Sequence, residues 1–198
     1  MKNEELILNL YKIGAVKFGN FTLKSGKTSK IYLDLRQIVS HPSVLRAVAE
    51  AIWEKVHACK FDLICGVPYT ALPMATGISL QHDIPMIMRR KEKKEYGTKQ
   101  QIEGAFHAGQ VCLIIEDVIT TGGSIIETAD ELTAVGLKIT DVALLIDRQQ
   151  GGEENLQQKG YNVHAVFKLS DILQGLSCSE NLPEEERQII QELMSEKS

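Results

Sequence analysis

Four cysteines without a C-x-x-C pair, five scattered histidines and no apolar run approaching about 18 residues remove several protein classes before any motif is read. Cys59, Cys65, Cys112 and Cys178 are unevenly spaced, and Cys65 and Cys112 sit in apolar runs, so reduced core thiols are expected rather than disulfides or metal ligands. His41, His57, His82, His107 and His164 show no ligand spacing, which argues against a histidine metal centre. Aromatics are 6% of the chain and the net charge is −4, a poor balance for binding nucleic acid or an anionic membrane. The opening Met-Lys-Asn-Glu-Glu places acids where a signal peptide needs its apolar segment, so the expected compartment is the cytoplasm. Neither G-x-x-x-x-G-K-[ST] nor G-x-G-x-x-G occurs, which disfavours a P-loop nucleotidase and a dinucleotide fold.

What is present is an alternation of short β-branched runs with amphipathic stretches. Buried strands are expected over 61–65, 84–88, 111–115, 142–146 and 161–167, and two shorter ones over 21–25 and 30–35. Helices are expected over 3–14, 41–57, 70–82, 124–135, 153–160 and near 170–175, with a surface helix in the charged tail around Ile189, Ile190 and Leu193. This is the pattern of an α/β fold, a mostly parallel sheet flanked by helices, and 198 residues suit a single domain.

The most informative stretch is Val-Cys-Leu-Ile-Ile-Glu-Asp-Val-Ile-Thr-Thr-Gly-Gly-Ser at 111–124. Two adjacent acids, Glu116 and Asp117, end the apolar run and are expected at or beyond the carboxyl edge of the sheet, where open α/β sheets bind ligands. Thr120, Thr121, Gly122, Gly123 and Ser124 follow, and Ser124 with Glu127 reads as a capping box that starts a helix. Hydroxyls and free backbone at a helix N-terminus suit a phosphate monoester. The acids suit sugar hydroxyls or hydrated Mg²⁺. A ligand with phosphate at one end and vicinal hydroxyls nearby is a ribose 5-phosphate.

A second stretch, 89–104, carries six bases (Arg89, Arg90, Lys91, Lys93, Lys94, Lys99) against two acids over 89–99 and lacks an apolar period. It reads as a long functional loop able to close over a polyanion.

The 111–124 segment resembles the PRPP-binding motif of type I phosphoribosyltransferases. With Phe-Thr-Leu-Lys-Ser-Gly at 21–26 and Cys-Gly-Val-Pro-Tyr-Thr-Ala-Leu-Pro at 65–73, the chain from about 18 to about 176 is similar to the orotate phosphoribosyltransferase family, most of all to the transferase half of eukaryotic UMP synthases. The resemblance implies a core over about 41–168 and a small hood from about 1–40 and the C-terminal part. It implies transfer of a phosphoribosyl group from PRPP to orotate, with Mg²⁺ held mainly by PRPP and water near Asp117. Val118, Ile119 and the 120–124 loop would join Glu116 and Asp117 in binding PRPP, and Tyr69 and Thr70 would contact its pyrophosphate. Arg90-Lys91-x-x-Lys94 resembles the family's catalytic loop, which acts in the neighbouring subunit of a homodimer, so Lys94, Lys91 and Asp117 are the implied catalytic residues. Tyr96 stands where many bacterial members carry histidine, and phosphate contact through its hydroxyl is the role left to it. Lys24, Tyr32, Thr120 and Arg148 would hold orotate, and an orotidine monophosphate decarboxylase is a candidate partner. Two rivals stay open: a purine phosphoribosyltransferase, against which Lys24 and Arg148 argue, and a PRPP-sensing regulator, against which the intact loop lysines argue.

Overall fold

The structure, a computed structural model, describes residues 3–22, 26, 28–91, 101–179 and 182–195. The chain divides into two compact units, one formed by residues 1–47 with 167–198 and the other by 48–166.

The first unit begins with α1 (Asn3–Lys12), whose Leu6, Ile7 and Leu10 are buried on one face as their spacing requires. Gly14, at φ +73°, lets the chain reverse while Ala15 N–H bonds to the Leu10 carbonyl. Strand β1 (Val16–Thr22) pairs antiparallel with β2 (Thr28–Leu33). It starts five residues before the expected strand because Val16 and Phe18 already alternate inward. Helix α2 (Pro42–Val56) crosses from this unit into the second. Two later helices, α6 (Leu169–Ser177) and α7 (Glu184–Ser195), complete the first unit. Gly175 allows α6 close to α1: a Cβ there would stand 3.0 Å from Ile7 Cδ1. The Tyr11 hydroxyl donates to Glu186 Oε2 at 2.5 Å, and Lys30 pairs with Glu192.

In the second unit, β3 (Leu63–Gly66), α3 (Ala71–His82), β4 (Met86–Arg89), β5 (Ile102–Glu103), β6 (Cys112–Ile119), α4 (Gly123–Ala134), β7 (Asp141–Asp147), α5 (Gly152–Gln158) and β8 (Asn162–Lys168) follow in turn. They form a sheet of order β5-β4-β3-β6-β7-β8. Strands β4, β3, β6 and β7 are parallel, and β5 runs antiparallel to β4. Strand β6 is central and apolar from Cys112 to Ile115, where side chains on both its faces are buried. Cys65 and Cys112 are buried free thiols.

This order places the site. From β3 the chain moves outward to β4, and from β6 it moves the other way to β7. The loops leaving these adjacent parallel strands diverge at the carboxyl edge and open a crevice there.

Two expectations are corrected. Strand β6 does not stop before the acids but continues to Ile119, pairing Glu116 with Leu144 and Ile119 with Asp147. Glu116 therefore lies inside the sheet, 5% exposed. The basic stretch is also shorter as a loop than 89–104. Arg89 is the last residue of β4, and the β4–β5 pairing of Met88 with Glu103 and Arg89 with Ile102 closes its base. Arg90 N–H bonds to the Gln101 carbonyl at 2.8 Å, and its side chain meets Glu103 at 3.0 Å.

Candidate active site

Strand β6 carries Glu116 and Asp117 side by side near its carboxyl end, close enough for their carboxyl groups to interact. Both Glu116 oxygens have local donors: Asp117 N–H reaches Oε1 at 3.0 Å and the Ser124 hydroxyl reaches Oε2 at 2.8 Å. Burial pushes the Glu116 carboxyl well above the usual carboxylate range, and neighbouring Asp117 pushes in the same direction. Asp117 is half-buried, and one of its oxygens accepts Val118 N–H at 2.9 Å. It is the more open acid of the two. One carboxylate completed by water and ligand oxygens is a donor set that fits Mg²⁺.

The capping box is not formed. Helix α4 begins at Gly123 with Gly122 as its cap in the left-handed region (φ +85°), and no side chain caps it. Ser124 is spent on Glu116, and Glu127 is drawn away by Arg89. The first-turn N–H groups are consequently left to a ligand or water, with the exposed Thr120, Thr121 and Ser124 beside them.

Helix α5 supports this loop from behind. A Cβ on Gly152 would lie 2.5 Å from Ile119 Cγ1 and 2.7 Å from the Thr120 carbonyl oxygen, so only glycine permits this approach. Asn155 Nδ2 donates to the Thr121 carbonyl at 3.1 Å. Neither residue was singled out from sequence. The Gly151-Gly152 doublet was the available signal, and it reads first as a turn.

Strand register brings Arg148 to the same edge. Asp147 pairs with Ile119, so Arg148 follows opposite Thr120, and its N–H bonds to the Ile119 carbonyl at 3.1 Å. Asp147 is buried and accepts Gln149 N–H at 2.8 Å. Among the described residues, Arg148 Nε is the one buried side-chain nitrogen or oxygen without a hydrogen-bond partner. Burial also lowers the Arg148 guanidinium from its ordinary value. A buried donor without a protein partner is open to a ligand atom or a water.

The neighbouring loop, 66–70, leaves β3 at the same edge. A Cβ on Gly66 would meet the Ala71 carbonyl oxygen at 2.8 Å, so glycine sets the tight exit into α3. Thr70 caps α3 through its backbone position without a side-chain bond. Tyr69 is 57% exposed, and Lys91 Nζ stands 5.6 Å above its ring.

Arg89 plays no part in the basic loop. It is 5% exposed, and its guanidinium meets Glu131 at 2.5 and 2.9 Å and Glu127 at 2.6 Å. It ties the end of β4 to α4. Val118 is half-buried and Ile119 buried, so any ligand contact from Ile119 is through its main chain. Tyr32 lies on β2 in the first unit, stacked on Phe21 at 5.4 Å, with its hydroxyl accepting from Arg36 at 3.0 Å. Lys24, Lys94 and Tyr96 lie outside the described residues.

Residues 34–167 match the phosphoribosyl transferase domain family. The chain is 54% identical over 170 residues to uridine 5′-monophosphate synthase of Bos taurus, which covers 85% of this chain and 35% of that one. It is 45% identical over 175 residues to orotate phosphoribosyltransferase of Chlamydia felis, covering 87% and 85% respectively. Among solved structures, UMP synthase of Leishmania donovani superposes with a TM-score of 0.88 at 35% identity, over 99% of this chain and 43% of that one. The chain thus spans about a third of the bovine relative and most of the chlamydial one.

Proposed function

We propose that this chain, which belongs to the phosphoribosyl transferase family and within it to the orotate phosphoribosyltransferases, transfers the 5-phosphoribosyl group of PRPP to orotate. The products are orotidine 5′-monophosphate and pyrophosphate. The bond from the anomeric carbon to the pyrophosphate oxygen breaks, a bond to the orotate ring nitrogen forms, and the proton of that nitrogen is lost. No side chain serves as nucleophile, so catalysis rests on positioning and on charge stabilisation.

Thr120 to Ser124 and the amino end of α4 would hold the 5-phosphate. Asp117 and, by rotation from its present partners, Glu116 would accept the ribose hydroxyls. Mg²⁺, bound mainly by PRPP and water near Asp117, would supply charge neutralisation at the pyrophosphate. Tyr69, Thr70, Arg90 and Lys91 would line the leaving group's side, with Lys94 and Tyr96 joining them. The orphaned nitrogen of Arg148 beside the phosphate loop is the observation that carries the choice of base, because a planar guanidinium grips a carboxylate, and orotate has one. Lys24 and Tyr32 are assigned to orotate on the sequence motif alone.

The assay is orotate absorbance after mixing protein, orotate, PRPP and Mg²⁺. Loss of orotate signal that requires protein, PRPP and Mg²⁺ together is expected. Turnover of a purine instead overturns the base assignment, and tight PRPP binding without turnover overturns catalysis.

The active form proposed is a homodimer in which the basic loop serves the partner's site. Exposed Leu80 and Met88 supply apolar surface for a second copy. Co-expressed Lys94→Ala and Asp117→Asn chains should regain activity as heterodimers, and none recovered sinks the trans assignment. An orotidine monophosphate decarboxylase is the proposed functional partner, and the cytoplasm the proposed compartment. No helix among the described residues is long and apolar enough to cross a membrane.

A further inference from the structure

Histidine ligation, discouraged by sequence spacing, returns at the opposite edge of the sheet. Cys59 follows α2, Asp141 opens β7 and His164 lies in β8. Strand β7 itself separates Asp141 from Asp147 by about 20 Å, so this cluster is remote from the phosphate loop. His164 Nε2 stands 2.8 Å from Asp141 Oδ1 and 3.6 Å from Cys59 Sγ, and all three donor atoms lie within 4.8 Å of one another. One ring nitrogen therefore has both a carboxylate oxygen and a thiol sulfur within reach.

With zinc–sulfur about 2.3 Å and zinc–nitrogen about 2.1 Å, a tetrahedral site has a sulfur-to-nitrogen edge of about 3.6 Å. That edge is already present. The nitrogen-to-oxygen edge is about 3.4 Å against the 2.8 Å present, so the Asp141 carboxylate need withdraw only about 0.6 Å as the ion replaces the proton between it and His164. Thr140 Oγ1 donates to Asp141 Oδ2 at 2.7 Å, and Asn162 Nδ2 donates to Oδ1 at 3.2 Å. Such outer bonds orient a ligating carboxylate. All three side chains keep some exposure, which would let water take a fourth position.

We propose that Cys59, Asp141 and His164 form a three-ligand site for a borderline-soft divalent cation, Zn²⁺ or Co²⁺. The thiol, the imidazole and the carboxylate select such an ion over the hard Mg²⁺ used with PRPP. On binding, the Cys59 thiol gives its proton to solvent. The ion would clamp the segment after α2 to the amino end of β7 and to β8.

The probe is Co²⁺ added to the metal-free full-length chain. One equivalent is expected to give a near-ultraviolet sulfur-to-cobalt charge-transfer band with the intense visible bands of four-coordination, abolished by excess Zn²⁺. Cys59→Ser should lose the charge-transfer band while keeping wild-type circular dichroism. Cys178→Ser, which removes an exposed thiol elsewhere, should keep it. Asn162→Ala should weaken Co²⁺ binding by about 10- to 100-fold. No charge-transfer band in the wild type, or its survival in Cys59→Ser, overturns the site.

Discussion

Gly152→Ala tests whether α5 sets the position of the phosphate loop. The new Cβ would lie 2.5 Å from Ile119 Cγ1 and 2.7 Å from the Thr120 carbonyl oxygen. Carbon atoms settle at about 3.5 Å, so about 1 Å of separation must be found, and both obstructing groups lie on the loop or at its root. Overpacking of this kind costs about 1–3 kcal/mol, and about 2–4 °C of Tm accompanies each kcal/mol in a chain of this size. If α5 and the loop share the movement, the loop shifts by about 0.5 Å, and the apparent KM for PRPP rises on the order of 10-fold. The KM for orotate should change less, because Arg148 follows directly on β7 and touches the displaced segment through one main-chain bond. Gly151→Ala is the control. It stands at φ +86° with nothing within 4 Å of a Cβ, so it should lose about 1–2 kcal/mol to backbone strain and leave the PRPP KM unchanged. Progress curves at varied PRPP and thermal unfolding of both variants decide the matter. A wild-type PRPP KM in Gly152→Ala would refute the claim that this contact positions the loop.

Arg148→Ala should lower kcat/KM for orotate by about 10- to 150-fold, the worth of a charged hydrogen-bonded pair of about 1.5–3 kcal/mol, and Arg148→Lys should recover only part, which steady-state kinetics at varied orotate would show. Arg89→Ala removes the guanidinium that faces half-buried Glu131; with solvent at Glu127 discounting the loss, a drop of about 2–3 kcal/mol is expected in denaturant unfolding, and most of it should return in an Arg89→Met, Glu131→Leu double variant. Glu116 has a raised carboxyl in the folded chain, so its contribution is full below the ordinary unfolded value of about 4.3 and is lost as pH rises through the folded one. Glu116→Gln, which cannot ionise, should therefore gain Tm relative to wild type as pH is raised from 4 to 8; parallel Tm–pH curves would remove the buried-acid account.

Much of the fold was legible because burial leaves a local record. The β-branched runs marked β3, β6 and β7, and the spacing of Leu6, Ile7 and Leu10 marked α1. Ends were misplaced where tertiary contacts overrode local rules. Glu116 stays inside β6 because Ser124 and Asp117 N–H satisfy its oxygens, a compensation invisible along the chain. The capping box failed because both of its side chains had stronger partners elsewhere, Glu116 for Ser124 and Arg89 for Glu127. Arg89 looked like one more loop base, yet β4 carries it under α4.

The sequence by itself determined the chemistry on offer at the carboxyl edge: two acids, a hydroxyl- and glycine-rich turn opening a helix, a basic stretch and an arginine after an apolar run. Residue type and short-range order suffice for that, because each motif is one strand and the turn that follows it. Only the tertiary structure decided which of these groups meet. The strand order set the loops after β3 and β6 diverging, and the β6–β7 register put Arg148 opposite Thr120. Packing placed Gly152 under the phosphate loop and gathered Cys59, Asp141 and His164 from segments up to 105 residues apart. Pairing across a sheet joins residues by hydrogen-bond register and not by distance along the chain, and that register is set by the burial of every strand at once.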